Sequence, residues 1–462
     1  MSKLTQKDAY KLFHDGALAL SRAEQVGMRI DINYLYREKK RITFKIKHLE
    51  QELRQTKLYK DWEKYFGAKI NINSSLQLRD ILYNRYKLKP INTTTAGFGK
   101  TDDETLSQID VPGLDLILKI RKLLKIRDTY LENFEREQVN GYIHPFFNLH
   151  TVVTFRSSSD RPNFQNIPKR DKEAMKAVRK AIYARPGHLL MEADFSKLEV
   201  SIAACYHKDP IMLKYLTSEH NDMHGDLAAQ LFKIDDFDKH VPEYAYLRSA
   251  AKNGFVFPQF YGDYYVGCAD SLTKWTKLPH SRFKGQEGVL LPGGETISAH
   301  LIRKGIKSYQ QFENYIKQVE DDFWNRRFQV YQQWKDRWLA AYQRRGYFDS
   351  LTGFRYRGIY RRNQVINYPV QGAAFHCLLW SFIHMDKWLS ENNMNTKLIG
   401  QIHDAMVLDV HPDELQKVYQ KIREITTQQL PATWNWIIVP LDISFEITDV
   451  DKSWAEKYEY EV

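Results

Sequence analysis

Two apolar runs with strand character, Leu398-Ile399-Gly400-Gln401-Ile402 and Ala405-Met406-Val407-Leu408-Asp409-Val410, are separated by only His403 and Asp404. Runs that close together read as an antiparallel hairpin, so this stretch commits the chain to a sheet. A two-residue hairpin needs positive φ at its centre and favours Asn-Gly, Asp-Gly or a Gly-first pair. His-Asp meets that demand poorly. Turn chemistry that breaks the local rule is where function is expected.

A second carboxylate stands at a comparable place. The run through Leu189, Leu190 and Met191 stops at Asp194-Phe195-Ser196, and Leu198 to Ala204 then reads as a helix. Asp194 at a strand-to-helix junction fits either an N-cap or a metal or phosphate ligand at a sheet edge. Side by side, Asp194 and Asp404 would supply two hard oxygen ligands, the minimum for a pair of Mg²⁺ ions ~3.5–4 Å apart.

Cations supply the third feature. In Glu243 to Lys252, Arg248 and Lys252 stand at i and i+4 and share a helix face. Glu243 is the only acidic residue within that helix, so both cations read as available for a triphosphate. Phe255, Phe257, Phe260 and Tyr261 follow as surfaces for a base to stack on. The bland alternative is two surface cations ahead of a buried aromatic end.

Residues 1–140 read as helical and basic. Leu18, Leu20, Ala23 and Val26 recur at helical spacing before a turn at Gly27. A long helix over 32–58 carries Lys39, Lys40, Arg41, Lys45 and Lys47, and another from Leu114 to Tyr130 carries Lys119, Arg121, Lys122, Lys125 and Arg127. Both fit solvated faces or a grip on a phosphate backbone. Strands come in after residue 140, helices with crowded aromatics fill 205–350, and strands return to Val439–Phe445. The pattern is α+β, with a sheet built from discontinuous segments.

Composition narrows the class. Among 462 residues, 68 Lys+Arg against 57 Asp+Glu leave +11, which suits a polyanion partner. Three cysteines without CxxC spacing exclude a disulfide framework and a cysteine-rich zinc site. No signal-like core opens the sequence and no run reaches the ~18 apolar residues of a membrane span. The expectation is a soluble, basic, intracellular protein.

In their order, these pieces resemble the polymerase domain of family A DNA polymerases, the bacterial DNA polymerase I and bacteriophage group. Asp194-Phe195-Ser196-Lys197-Leu198-Glu199 is similar to the first palm motif, Arg248-x3-Lys252 leading to Tyr261-Gly262 to the fingers helix, and Gln401-Ile402-His403-Asp404 to the last palm motif. Arg156 to Ser159 with Pro162 to Pro168, and Asn367-Tyr368-Pro369-Val370-Gln371-Gly372, agree as well. Glu24 to Asp31 and Ile72 to Leu78 extend the likeness toward the N-terminus.

The resemblance implies a right hand with helical thumb and fingers around an antiparallel palm sheet. Its expected divisions are residues 1–29 as an N-terminal helix packing on the palm, 30–140 thumb, 141–204 palm, 205–350 fingers and 351–462 palm again. It implies template-directed addition of deoxynucleoside triphosphates to a primer 3′-hydroxyl by a two-metal-ion mechanism. Asp194, Asp404 and the backbone carbonyl of Phe195 would bind two Mg²⁺, with Mn²⁺ as a substitute. Arg248 and Lys252 would hold the phosphates, Lys252 also neutralising or protonating the leaving group. His224 matches a family histidine near the phosphates and equally fits a residue at a helix start. Glu199 would sit under the incoming sugar and exclude a 2′-hydroxyl, with Phe257 and Tyr261 beside the nucleotide. Arg156, Asn163, Gln165, Asn166, Asn367, Gln371 and His403 would follow primer-template DNA in the minor groove. The implied setting is a monomer in the cytoplasm of a bacterial cell or phage-infected host, off the membrane, with a separate exonuclease or processivity factor as further partners.

Three departures from the family pattern stand out. Ala405 takes the place of a glutamate after Asp404. Lys252 and Tyr261 are nine residues apart rather than eight, which at ~100° per residue would turn the tyrosine away from the lysine. Pro258 lies inside that interval, so the spacing predicts a bulge or kink around Gly254–Pro258 that returns Tyr261 to the active face and makes Phe257, not Val256, the sugar-facing aromatic. Residues 263–310 are longer and more polar than the usual connection, with a turn at Pro292-Gly293-Gly294 and no function readable from the sequence.

Two other readings stay open: a single-subunit RNA polymerase-like enzyme, and a non-catalytic DNA-binding polymerase relic. Glu199 argues against the first, and the retained Asp194, Asp404, Arg248 and Lys252 against the second. No intrinsic 3′–5′ exonuclease is expected. The one early Asp-x-Glu match, Asp102-Asp103-Glu104, follows a loop, and Thr101 with Glu104 has capping-box spacing, so the triplet predicts a helix start.

Overall fold

The computed structural model describes residues 4–94, 96–168, 171–218 and 221–461. At its centre lies a five-stranded sheet ordered Tyr458–Glu459, Asp442–Ile447, Leu189–Ser196, Ala405–Val410, Lys397–Ile402, every neighbouring pair antiparallel. Strands more than 200 residues apart in sequence therefore lie side by side. The hairpin forms as its spacing demands, with Ala405 opposite Ile402 and His403 at φ 53°. Ala405–Val410 is buried at every position, and only Asp194 and Ser196 in Leu189–Ser196 are partly exposed. Apolar residues on both faces of these strands thus demand cover on both sides.

Part of that cover is the helix Arg362–Glu391, which buries residues around most of its circumference, including Pro369. Gly372 lets it approach its neighbours, because a Cβ there would collide with the Tyr356 hydroxyl and the Thr154 carbonyl. The helix Gln6–Val26, which ends at Gly27 with φ 67°, packs against the same helix and against Lys397–Ile402. Residues near 204–334 build a second hydrophobic core of their own around Phe232, Phe255, Phe312, Phe323 and Phe328. The aromatic crowding of that stretch is therefore core.

The basic helices break sooner than their pattern suggests. Ile32–Gln55 stops at Thr56, whose hydroxyl accepts the Tyr59 amide at 3.2 Å and caps a new helix, Lys57–Phe66. Leu114–Leu124 passes into a π-helical stretch, Lys125–Leu131. The Asp102-Asp103-Glu104 triplet does start a helix, Asp103–Leu106. Its cap is Asp102, accepting the Thr105 amide at 2.9 Å, rather than the Thr101 of the capping-box reading. The 263–310 stretch folds as Tyr265–Thr276 and Ile297–Arg303 joined through a turn that the Leu290–Thr296 bridge closes. Among the described residues, no helix is long and apolar enough to cross a membrane.

Candidate active site

Asp194 and Asp404 come together because their strands are neighbours. Asp194 pairs with Ala405 in the ladder, and one step on the Phe195 amide donates to the Asp404 carbonyl at 3.2 Å. An antiparallel residue points its N–H and C=O to the same side, so the Phe195 carbonyl also faces the turn. Asp194 is not an N-cap: it lies within the strand, and Lys197, at φ 56°, holds the cap position of Leu198–His207. Two carboxylates and a carbonyl are hard oxygen donors that suit Mg²⁺, which keeps waters and takes further ligands from phosphates. Among the described residues no group of three or more His, Cys, Asp or Glu side chains is placed to hold a metal ion.

The cationic helix is interrupted where the spacing predicts. Pro242–Ala251 is α-helical, Lys252–Val256 is π-helical, and Phe257–Tyr261 is α-helical again, the Phe257 amide bonding to the Lys252 carbonyl five residues back. Pro258 falls in the first turn of the final segment, where its missing N–H costs little. The wider turn absorbs one residue. The Lys252 ammonium consequently lies 5.2 Å from the Phe257 ring centroid, and the Phe257 and Tyr261 rings are 6.4 Å apart. Val256 is fully buried in the second core, while Phe257 lines the cavity.

Arg248 differs from its sequence reading as a cation without an acidic partner. Asp222, from outside the helix, binds it side-on, taking Nε–H at 2.7 Å and Nη2–H at 2.9 Å. Burial pushes the Asp222 carboxyl up, yet the Arg248 hydrogen bonds and charge bring it below the usual range. Burial, Arg248 and Lys197 together lower the Lys252 ammonium. His224 meets Phe257 edge to face at 6.1 Å, and burial with the nearby Arg248 and Lys252 charges lowers it to about 4, so its ring is neutral at pH 7. Its Nε2 is buried with no hydrogen-bond partner among the described residues.

Opposite this face, the Glu199 carboxylate accepts the Arg156 guanidinium at 2.7 Å and the Tyr261 hydroxyl. Arg156 reaches on to within 3.7 Å of Asp404. Burial and the Glu199 charge raise the Tyr261 phenol well above its ordinary value, keeping it a donor. A cavity of about 180 Å³ lies between these groups, lined by Phe195, Lys197, Glu199, Phe257, Tyr261 and Asp404, with Asn367 and Gln371 at its wall. Asn367 also donates to the Tyr261 carbonyl at 3.0 Å, tying the long helix to the end of the cationic one.

The other polar residues singled out from the sequence spread along one loop and the hairpin turn. Asn163 caps the short helix Phe164–Asn166, accepting the Asn166 amide at 3.2 Å. Gln165 donates to Ser157 at 2.8 Å, and His403 is exposed at the turn. Sequence reasoning missed Asp222, Lys197 and Gln401, the last buried and bonded to the same Ser157. Several lysines of the basic helices are engaged within the protein. Lys39 pairs with Glu132 and Glu135, and Lys122 with Asp171 and Glu173 at 2.9 Å each. Lys40, Lys47 and Lys125 are exposed.

In sequence and in fold the chain is similar to known proteins. The family model for DNA polymerase family A matches residues 43–456. DNA polymerase I of Chloroflexus aurantiacus is 26% identical over 441 residues, covering 93% of this chain and 41% of that protein. The enzyme of that name from Aquifex aeolicus is 28% identical, covering 91% and 64%. A DNA polymerase of Bacillus phage SP01 is 24% identical, covering 82% and 40%. The chain thus spans about half the length of the curated relatives it matches. A solved structure described as the POL domain of Pol1 from M. smegmatis in complex with DNA primer-template and dNTP matches with TM-score 0.74 at 22% identity, covering 96% of this chain and 70% of that one. That likeness shows the fold: an α+β right hand with helical lobes around an antiparallel sheet.

Proposed function

This chain belongs to DNA polymerase family A, and we propose that it adds deoxynucleoside triphosphates to a DNA primer 3′-hydroxyl under the direction of a template. The observation that carries the reading is the ladder rung that sets Asp404 beside Phe195, next to Asp194, at a cavity lined by Glu199 and Phe257, the Lys252 ammonium lying 5.2 Å from the Phe257 ring centroid. Asp194, Asp404 and the Phe195 carbonyl would hold two Mg²⁺ ions, or Mn²⁺ in their place. When bound, such ions supply charge neutralisation at the primer oxygen and the triphosphate.

The chain's own groups do the rest. Arg248, fixed by Asp222, presents the free end of its guanidinium to the phosphates. Lys252 stands one helical step further on, its lowered affinity for a proton suiting it to release one to the departing pyrophosphate. Neutral His224 offers a hydrogen bond without adding charge. Phe257 and Tyr261 flank the sugar and base, and Glu199, clamped by Arg156 and Tyr261, presents its carboxylate where a 2′-hydroxyl would have to fit. Asn163, Gln165, Asn166, Asn367, Gln371 and His403 would lie along primer and template.

In this reading residues 1–29 pack on the palm, 30–140 form the thumb, 141–204 and 351–462 the palm, and 205–350 the fingers, which the separate second core supports. The exposed thumb cations favour a phosphate backbone. The partners are primer-template DNA and dNTPs, with a separate exonuclease or processivity factor as further ones. The enzyme works as a monomer in the cytoplasm of a bacterial cell or phage-infected host. Editing is not assigned to this segment, because Asp102-Asp103-Glu104 opens a helix.

The test is single-nucleotide extension of a DNA primer-template, comparing the matching deoxynucleotide with its ribonucleotide. Preferred deoxynucleotide addition supports the reading. Preferred ribonucleotide addition favours an RNA polymerase, and binding without extension favours a relic. A 3′-mismatched primer that shortens without nucleotides would overturn the absence of editing.

A further inference from the structure

Phe257 and Tyr261 stand four residues apart and line the cavity at Asp404. Gln259, two residues or ~200° from each, points the opposite way, into the second core. It is 2% exposed there. A buried amide needs partners at both ends, and Gln259 has them. Its Oε1 accepts the Trp324 indole N–H at 2.6 Å, and its Nε2 donates to the Glu320 carboxylate at 2.8 Å and to the Cys268 sulfur at 3.4 Å. Three elements meet at this one side chain. Glu320 belongs to the helix Tyr309–Asp322, Trp324 to the π-helical turn Phe323–Arg327, and Cys268 to Tyr265–Thr276.

Glu320 does more than accept from Gln259. Its other oxygen takes the Tyr265 amide at 3.1 Å, so one carboxylate is bonded on both sides of the turn that follows Tyr261. Burial raises the Glu320 carboxyl, the Gln259 and Tyr265 donors work against that rise, and the Asp321 and Asp263 charges add to it. The tether matters because Phe257–Tyr261 is only five residues long and starts where the π-helical turn ends. A helical stretch that short has little stability of its own, so bonds to other elements decide where it lies. At its far end the Tyr261 hydroxyl donates to Glu199.

We infer that Gln259 is a positioning residue for sugar selection. Bonded to Glu320 and Trp324, it fixes the segment that carries Tyr261, and through Tyr261 it holds the Glu199 carboxylate where a 2′-hydroxyl would have to fit. The inference rests on the polymerase reading above and extends it to a side chain that faces away from the nucleotide cavity.

The experiment measures kcat/KM of the full chain for a matching deoxynucleotide and its ribonucleotide on a DNA primer-template, with a thermal melt of each variant. Gln259→Leu keeps the bulk and removes the bonds. Its deoxy-to-ribo ratio should fall ~10-fold. Its KM for the deoxynucleotide should stay within ~2-fold, because Arg248 and Lys252 lie before or at the start of the π-helical turn and do not depend on the tether. In a Tyr261→Phe background the same substitution should change the ratio less than ~2-fold, since the route to Glu199 is already cut. Gln259→Glu combined with Glu320→Gln exchanges amide and carboxylate and can remake each of these bonds to oxygen, so its ratio should return to within ~2-fold of wild type. A folded Gln259→Leu with an unchanged ratio, an equal fall in both backgrounds, or a folded exchange variant whose ratio stays low would each overturn the proposal. An equal fall would mark the network as a support of the fold alone. Should Gln259→Leu not fold, the exchange variant decides. Wild type that extends primers without favouring deoxynucleotides would remove both the Glu199 assignment and this inference, whereas wild type that does not extend at all would take down the polymerase reading.

Discussion

Asp222 holds Arg248 side-on, one carboxylate oxygen 2.7 Å from Nε and the other 2.9 Å from Nη2. A bidentate pair fixes the plane of the guanidinium as well as its position. It also places a negative charge beside a site proposed for a polyanion, which makes sense only if orientation matters more than local charge. Asp222→Ala should therefore raise the KM for the incoming nucleotide ~10-fold with a smaller change in kcat. Steady-state kinetics in wild-type and Arg248→Ala backgrounds checks this. The effect should vanish in the second background, and an undiminished effect there would show that Asp222 does not act through Arg248.

The π-helical turn at Lys252–Val256 accommodates one residue more than an α-helix would. Deleting Asn253, which is exposed and whose side chain donates to the Ser249 carbonyl at 2.8 Å, should let the segment revert to α-helix with Tyr261 still facing Lys252. The variant should keep primer extension within ~10-fold of wild type, whereas inserting one alanine beside Asn253 should abolish it by turning Tyr261 about 100° away. Activity lost equally in both variants would contradict this account of the turn.

Glu199 accepts hydrogen bonds from Arg156 and from Tyr261 across the cavity. Glu199→Ala removes the group proposed to exclude a 2′-hydroxyl. Discrimination against ribonucleotides should fall ~10- to 100-fold, measured as the ratio of kcat/KM for a deoxynucleotide and its ribonucleotide. An unchanged ratio would remove Glu199 from the selectivity role.

Two buried histidines and the half-buried His224 give the fold an acid sensitivity. Burial lowers His207 and His376 to about 3 and, helped by Arg248 and Lys252, His224 to about 4, against an ordinary 6.5. Between about pH 6.5 and these values the unfolded chain binds protons that the folded chain does not. Stability therefore falls with pH through that window, by about 1.4 kcal/mol per pH unit for each histidine. His376 is fully buried, and burial outweighs the Phe155 carbonyl 3.0 Å from its Nε2, which by itself favours the protonated ring. Urea midpoints at pH 7 and pH 5 test the direction, and equal midpoints would contradict it.

Local pattern made much of this legible. Two residues between two apolar runs left no choice but a hairpin at His403-Asp404, and a nine-residue interval with a proline inside it required the interrupted helix. What stayed hidden was pairing between distant residues. Arg248 looked partnerless because its carboxylate is 26 positions away, outside the helix, and helical spacing reports only neighbours on one element. Lys39 and Lys122 looked available to a polyanion for the same reason, their acids lying on other segments. The cap at Asp102 was misread as Thr101 because both residues can cap and only the chain path decides.

Everything proposed for this chain turns on Asp404 beside Phe195. The direct measurement is primer extension by Asp404→Ala alongside wild type, with circular dichroism and a thermal melt to verify that the variant is folded. The account predicts a folded variant that still binds primer-template and extends it at least ~1,000-fold more slowly, since half of the carboxylate pair is gone. A folded Asp404→Ala that extends primers at the wild-type rate would contradict the account.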